Sequence, residues 1–158
     1  MKSNLERMIQ LADEFFSAKD DPKQLSVTPE VMERLRQVHP ATLTEQDDGD
    51  GPIAWILLIP TTDHLMRMFI EKEIDELDIL DKTPLYHAYD TVYLCSALVL
   101  PEHRGKGIAS RLTCQGIESI RQEHPIASLF FWSFSIEGEN LAASVSRSVG
   151  LPLYKRLS

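Results

Sequence analysis

The stretch Arg104-Gly105-Lys106-Gly107-Ile108-Ala109-Ser110 holds the residue types that bind a phosphate. Gly105 and Gly107 let the backbone turn with its N–H groups gathered on one side, because neither carries a Cβ. An amphipathic run follows, in which Ile108, Ala109, Leu112, Gly116, Ile117 and Ile120 recur every three or four residues, so the loop opens a helix. The first turn of a helix carries N–H donors without internal partners and the positive end of the helix dipole, and both favour a phosphate or pyrophosphate. Arg104 and Lys106 add positive charge there. In front of the loop, Thr91 to Leu100 is mostly apolar, Val92, Tyr93 and Val99 favour extended backbone, and Pro101 stops the strand.

Two other phosphate loops fail on specific residues. A P-loop needs Gly-x-x-x-x-Gly-Lys followed by Ser or Thr, but Leu100 stands at the first Gly and Gly107 follows Lys106. A dinucleotide fingerprint needs a third Gly where this chain has Ser110.

Arg104-Gly105-Lys106-Gly107-Ile108-Ala109, preceded by Leu98-Val99-Leu100-Pro101 and followed by Ser110-Arg111-Leu112, resembles the acyl-CoA-binding signature of the GNAT acetyltransferase superfamily, Arg/Gln-x-x-Gly-x-Gly/Ala. From about Thr91 to Ser158 the order strand, loop, helix, strand, helix, strand is similar to that family's. The resemblance implies an α+β fold in α/β/α layers: a mixed, mostly antiparallel sheet with splayed central strands, flanked by helices, as one domain over residues 1–158. It implies acetyl-CoA, or another acyl-CoA, as co-substrate. The pantetheine amides would meet the backbone of Ala97, Leu98 and Val99. The pyrophosphate would meet Gly105, Lys106, Gly107, Ile108 and Ala109, with Ser110 close by, Arg104 and Lys106 adding charge, and Asn140 touching the cofactor from the start of the next helix.

The chain departs from the family where the general acid usually stands. Seven residues after Asn140 comes Arg147 instead of Tyr, and alignment on Gly150 instead pairs Glu139 with the Asn position and Ser146 with the Tyr position. Candidates for proton transfer are Tyr93, where some relatives place a carboxylate, Ser135 and Glu137 at the end of the next strand, and Tyr154 on the last. Two function classes fit: an N-acetyltransferase in which a small-molecule or peptide amine attacks the thioester directly in a ternary complex, and a non-catalytic acyl-CoA-binding or interaction module. The usual antiparallel strands before the signature are partly replaced by a helix over Thr62–Leu77.

The chain has 158 residues, 43% hydrophobic and 25% charged, which suits one ordinary globular domain. A net charge of −8 and a pI near 5.1 oppose binding to nucleic acid and suit a cationic acceptor. Cys95 and Cys114 sit in apolar elements and read as core packing, and with no signal peptide the expected compartment is the cytoplasm. No window reaches the ~18 apolar residues of a membrane span. The five His residues lack Cys or His partners at metal-ligand spacing, so no metal is expected, and His103 reads as a solvent-facing loop residue. Monomer and homodimer are both open.

The remaining elements follow from spacing. Leu5, Met8, Ile9, Ala12, Phe15 and Phe16 predict an opening amphipathic helix ended by Asp20-Asp21-Pro22. Thr28-Pro29-Glu30 starts a second, burying Val31, Leu35 and Val38 and closed by His39-Pro40. Ala41–Thr44 predicts a short strand, and Asp47 to Gly51 a hairpin turn, since the Ca²⁺-loop pattern is absent. Ile53 to Ile59 predicts a buried strand stopped by Pro60. The Thr62–Leu77 helix is expected to turn Glu71, Lys72, Glu73, Asp75 and Glu76 to solvent. Leu85 to Tyr89 reads as a short strand or a loop over a pocket. Ala127–Phe134 predicts a strand, and a helix from Glu139 or Asn140 to Val149 is capped by Gly150, with Leu151–Leu157 the last strand.

Overall fold

The computed structural model describes residues 2–18 and 28–157. The first helix, α1, spans Asn4–Ala18, and the stop expected at Asp20-Asp21-Pro22 lies outside the described residues. Its inner side is Met8, Leu11, Ala12 and Phe15, whereas Leu5 and Ile9 are exposed, so the buried stripe is rotated from the expected one. The side chain of Phe16 lies outside the described residues as well. Helix α2, Pro29–Val38, starts as expected: the Thr28 hydroxyl accepts from Val31 N–H, and Pro29 occupies the first turn, where its missing N–H costs nothing.

Pro40–Thr42 is a 3₁₀ turn and not the start of a strand, because His39 Nδ1 accepts the Ala41 N–H at 2.9 Å and holds the chain bent. Strand β1 is Leu43–Asp47 and β2 is Pro52–Thr61. In the turn between them Asp47 Oδ1 accepts from Gly49 N–H at 2.7 Å, with Gly49 at φ 101. Pro60 does not stop β2. Strand β1 reaches only Leu57, so beyond it one side of β2 has no strand, and a residue that cannot donate is tolerated.

The long helix expected over Thr62–Leu77 is two helices, α3 (Asp63–Ile70) and α4 (Glu76–Lys82). Lys72 at φ 65 breaks the run, and Asp75 restarts it through a capping box with Asp78. Glu76 is thereby turned inward and fully buried, contrary to the solvent-facing expectation. Leu85 to Tyr89 is a loop in which the Tyr89 hydroxyl donates to Pro84 O at 2.6 Å.

Strand β3 (Thr91–Val99), helix α5 (Ile108–Arg121), strand β4 (Ser128–Trp132), helix α6 (Ile136–Val149) and strand β5 (Leu153–Arg156) complete the chain. The strands form one mixed sheet in the order β1-β2-β3-β4-β5, antiparallel through β3 and parallel from β3 to β5. Helix α3 covers one face: the Phe69 ring lies 5.2 Å from Tyr93 and 5.9 Å from Phe130. Helix α5 covers the other, where Leu58 pairs with Leu94, the neighbour of Tyr93 that points the opposite way. A Cβ on Gly116 would stand 2.7 Å from Leu58 Cδ1, so the glycine sets how closely α5 lies on the sheet. Helix α6 packs beside α5. The result is the α/β/α layering expected, with splayed central strands.

Candidate active site

The splay begins at one residue. Leu57 faces Ser96 and Leu58 faces Leu94, so Cys95 is the extra residue of a β-bulge. A bulge bends its strand and increases the local twist. Strand β3 pairs with β4 only from Thr91 to Leu94, and β4 ends at Trp132. From Cys95 onward β3 has β2 alone beside it. A cavity of about 650 Å³ opens there, with Ala97, Leu98 and Val99 on one wall and Phe131, Trp132 and Phe134 on the other.

Ladder alternation decides which main-chain groups look into the gap. Leu100 N–H donates to Ile53 O, so in the antiparallel register Leu98 is likewise turned to β2, while Ala97 and Val99 face the gap. Of the three residues expected to meet the cofactor amides, Leu98 therefore contributes its side chain to the wall but not its N–H. Val99 O accepts from Arg104 Nε at 2.9 Å, which ties the signature Arg to the rim.

Beyond the gap a 3₁₀ turn, Pro101–His103, leads to the glycine loop. Gly105 and Gly107 both adopt positive φ, 78 and 76, a region that side chains disfavour. The first bond of α5 runs from Arg111 N–H to Gly107 O, and Gly107 provides no side-chain cap. Among the described residues the N–H groups from Gly105 to Ser110 consequently meet no acceptor, and this donor set beside a basic loop fits a pyrophosphate. Lys106 is exposed, and Ser110 lies in the first turn of α5, one turn before Cys114. The loop is tethered by Arg7 Nη2–Glu102 Oε1 at 2.6 Å and by His103 Nε2–Asp48 Oδ2 at 3.8 Å, so His103 faces the β1–β2 turn and not open solvent.

The candidates for proton transfer fall in different places. Tyr93 lines the cavity, but its hydroxyl donates to Glu76 Oε2 at 2.6 Å. Burial, and next the Glu76 charge, push the phenol well above its ordinary value, so Tyr93 keeps its proton and is no base by itself. Ser135 lines the cavity too, while its oxygen caps α6 by accepting from Gly138 N–H at 3.0 Å. That cap starts α6 at Ile136, earlier than expected, so Asn140 lies in the second turn, exposed and away from the cavity wall. Tyr154 is on the exposed side of β5 and does not line the cavity. Ser146 donates to Leu151 O at 2.6 Å, and Glu139 accepts from Ser133 Oγ at 2.6 Å and Lys155 Nζ at 3.1 Å. Arg147 is exposed, so no alignment brings a phenol from α6 to the gap.

Two contributors carry no motif in the sequence. Glu76 sits behind Tyr93, with Cys95 Sγ 3.8 Å from the same oxygen. Leu11, Glu14 and Phe15 of α1 form a further wall of the cavity. Among the described residues no group of three or more His, Cys, Asp or Glu side chains is gathered for a metal, neither cysteine is in a disulfide, and no helix is long and apolar enough to cross a membrane.

The model of the acetyltransferase (GNAT) family matches residues 5–143. Naa20 of Chaetomium thermophilum, crystallised in complex with a bisubstrate analogue, is similar in fold: TM-score 0.51 at 16% identity, over 80% of this chain and 60% of that one. The present chain thus spans less than two thirds of the Naa20 chain. A tetramutant of BH1408 from Bacillus halodurans aligns over 94% of this chain and 85% of its own, at 18% identity and TM-score 0.49. No curated protein matches the sequence.

Proposed function

The chain belongs to the GNAT acetyltransferase family, and from that premise we propose that it is an acetyl-CoA-dependent N-acetyltransferase that passes the acetyl group directly to an amine held in the same cavity. One observation carries the reading: the 650 Å³ gap past Cys95 runs into a loop whose N–H donors meet no acceptor among the described residues. The loop from Gly105 to Ser110 would hold the pyrophosphate, with Arg104 and Lys106 adding charge-assisted bonds of about 1.5–3 kcal/mol each. Ala97 and Val99 would meet the amides of the pantetheine arm. Acetyl-CoA supplies the acyl group as an activated thioester.

The chain's own task is to place an amine against that thioester and to manage protons. An alkyl ammonium must first deprotonate, which at pH 7 costs about 4.6 kcal/mol, from about 3.4 units at 1.36 kcal/mol each. Two carboxylates on the cavity wall, Glu14 and Glu137, are acceptors for that proton, directly or through water. The Ala97 N–H points into the gap, where it can polarise the carbonyl being attacked. The Ser135 hydroxyl, whose oxygen caps α6 but whose proton is not spent on that cap, is a donor for the departing sulfur.

The test is calorimetric titration with CoA, then release of free thiol from acetyl-CoA with and without amines. Binding, with thiol released only when an amine is present, supports the reading; no CoA binding overturns it. Firm CoA affinity without thiol release over any amine would instead establish a second reading, a non-catalytic acyl-CoA-binding module on the same fold.

A further inference from the structure

The cavity extends beyond what a phosphate loop and a splayed strand need, and its far end has a chemistry of its own. Arg7 of α1 touches Glu102 at the loop. With a rise of about 1.5 Å per residue, Phe15 lies about 12 Å further along that helix. There Leu11 and Phe15 line the cavity together with Phe134 and Trp132, whose rings are 4.3 Å apart. The charged groups among the lining residues are Arg104 at the loop end and two carboxylates, Glu14 and Glu137. Among the described residues neither carboxylate meets a Lys or Arg at ion-pair distance.

We propose that the acceptor is an amphiphilic amine, one ammonium on an aryl or alkyl body, seated with its apolar part among Leu11, Phe15, Trp132 and Phe134 and its nitrogen toward Glu14 and Glu137. The inference rests on the acetyltransferase reading and adds the substrate class to it. A polyamine or hydroxyalkyl amine would lay polar groups against those walls without hydrogen-bond partners, which costs desolvation. An acceptor bearing a carboxylate or phosphate would meet the two acidic side chains and a chain of net charge −8. An apolar body fits both constraints, since taking methylenes out of water against an apolar wall is favourable.

Initial rates with acetyl-CoA are compared for 2-phenylethylamine and hexylamine against ethanolamine and spermidine. The expected kcat/KM for the apolar amines is higher by about tenfold or more, the discrimination available to a hydrophobic pocket. Phe134→Ser, at a half-exposed side chain whose loss opens no core, and Leu11→Asn should each lower that preference through KM, with CoA affinity by calorimetry unchanged. Equal or better turnover of ethanolamine or spermidine would sink the inference and leave acetyl transfer standing. A CoA affinity that falls with the preference in both variants would also overturn it, because those walls would then belong to the cofactor. CoA binding without turnover of any of the four amines would overturn the inference, and thiol release over other amines, peptide amines included, would then decide the acetyltransferase reading separately.

Discussion

At its Arg104–Ser110 end the cavity meets main-chain N–H groups; at its Leu11–Phe15 end it meets side chains from α1, the end of β4 and the first turn of α6. The first end is specified within a single run of sequence, since two glycines, a strand stop and a helix start suffice. The second needs three segments that meet only when the sheet has formed. Backbone-built sites are tied to a fold and tolerate change in most side chains, while side-chain-built sites change with every substitution in their walls. On the proposed reading, the first end would take a cofactor shared with relatives and the second an acceptor particular to this chain.

The contrast breaks most severely at Gly107. Gly107→Glu should weaken CoA binding by about a hundredfold or more, because one charge-assisted phosphate contact is worth about 1.5–3 kcal/mol and here becomes a repulsion. No atom lies within 4 Å of a Cβ built there, so the variant meets open space, and only the positive φ of 76 strains it. Circular dichroism should show it folded and calorimetry should show the lost affinity. Unchanged affinity would mean the pyrophosphate lies elsewhere.

A smaller effect is expected where the two ends join, at Tyr93 and Glu76. Tyr93→Phe removes the one hydroxyl 2.6 Å from a fully buried carboxylate and should cost about 1–3 kcal/mol in denaturant unfolding. Glu76→Gln keeps an acceptor for that hydroxyl and should cost less. If both variants unfold like the parent, the buried pair contributes nothing to holding the gap wall.

The smallest effect belongs to the tether between α1 and the loop. Arg7 holds the Glu102 carboxyl down at about 2 from an ordinary 4.5, chiefly through their hydrogen bond. A depressed carboxyl stabilises the fold above its unfolded value and loses that contribution as pH falls through its folded value. The difference in melting temperature between the parent and Arg7→Ala should therefore be full above pH 4.5 and fade toward pH 2. The pair is surface-exposed, so added salt should shrink the difference at neutral pH. A difference that is constant from pH 6 to 2 would assign the effect of Arg7 to packing instead.

The same contrast explains what could be read from the chain. The loop, α5 and the Gly150 cap were legible because their signals are local: glycines at positive φ, and a helical stripe. The break between α3 and α4 was not, since the apolar spacing continues through it and only the Asp75–Asp78 capping box restarts the helix. Glu76 read as one of a run of surface acids because nothing in its neighbours announces Tyr93, seventeen residues away. Asn140 was misplaced because two helix starts compete within five residues, and the Ser135 hydroxyl, bonded to Gly138, prevails. The bulge at Cys95 is one extra residue within an apolar run, and it becomes visible only against the register of β2.

That bulge turns the last stretch of β3 into an interior edge strand. Ala97 and Val99 present ladder groups to a cleft in the middle of the sheet, not to its rim, and among the described residues Val99 O is the one claimed, by Arg104. Exposed edges of this kind invite pairing with any extended chain, and burying one at the bottom of a narrow slot is a protection against aggregation. A slender ligand with its own amides would serve there as the missing strand, joining the two halves of the sheet, so loading the slot should also raise resistance to thermal unfolding through mass action.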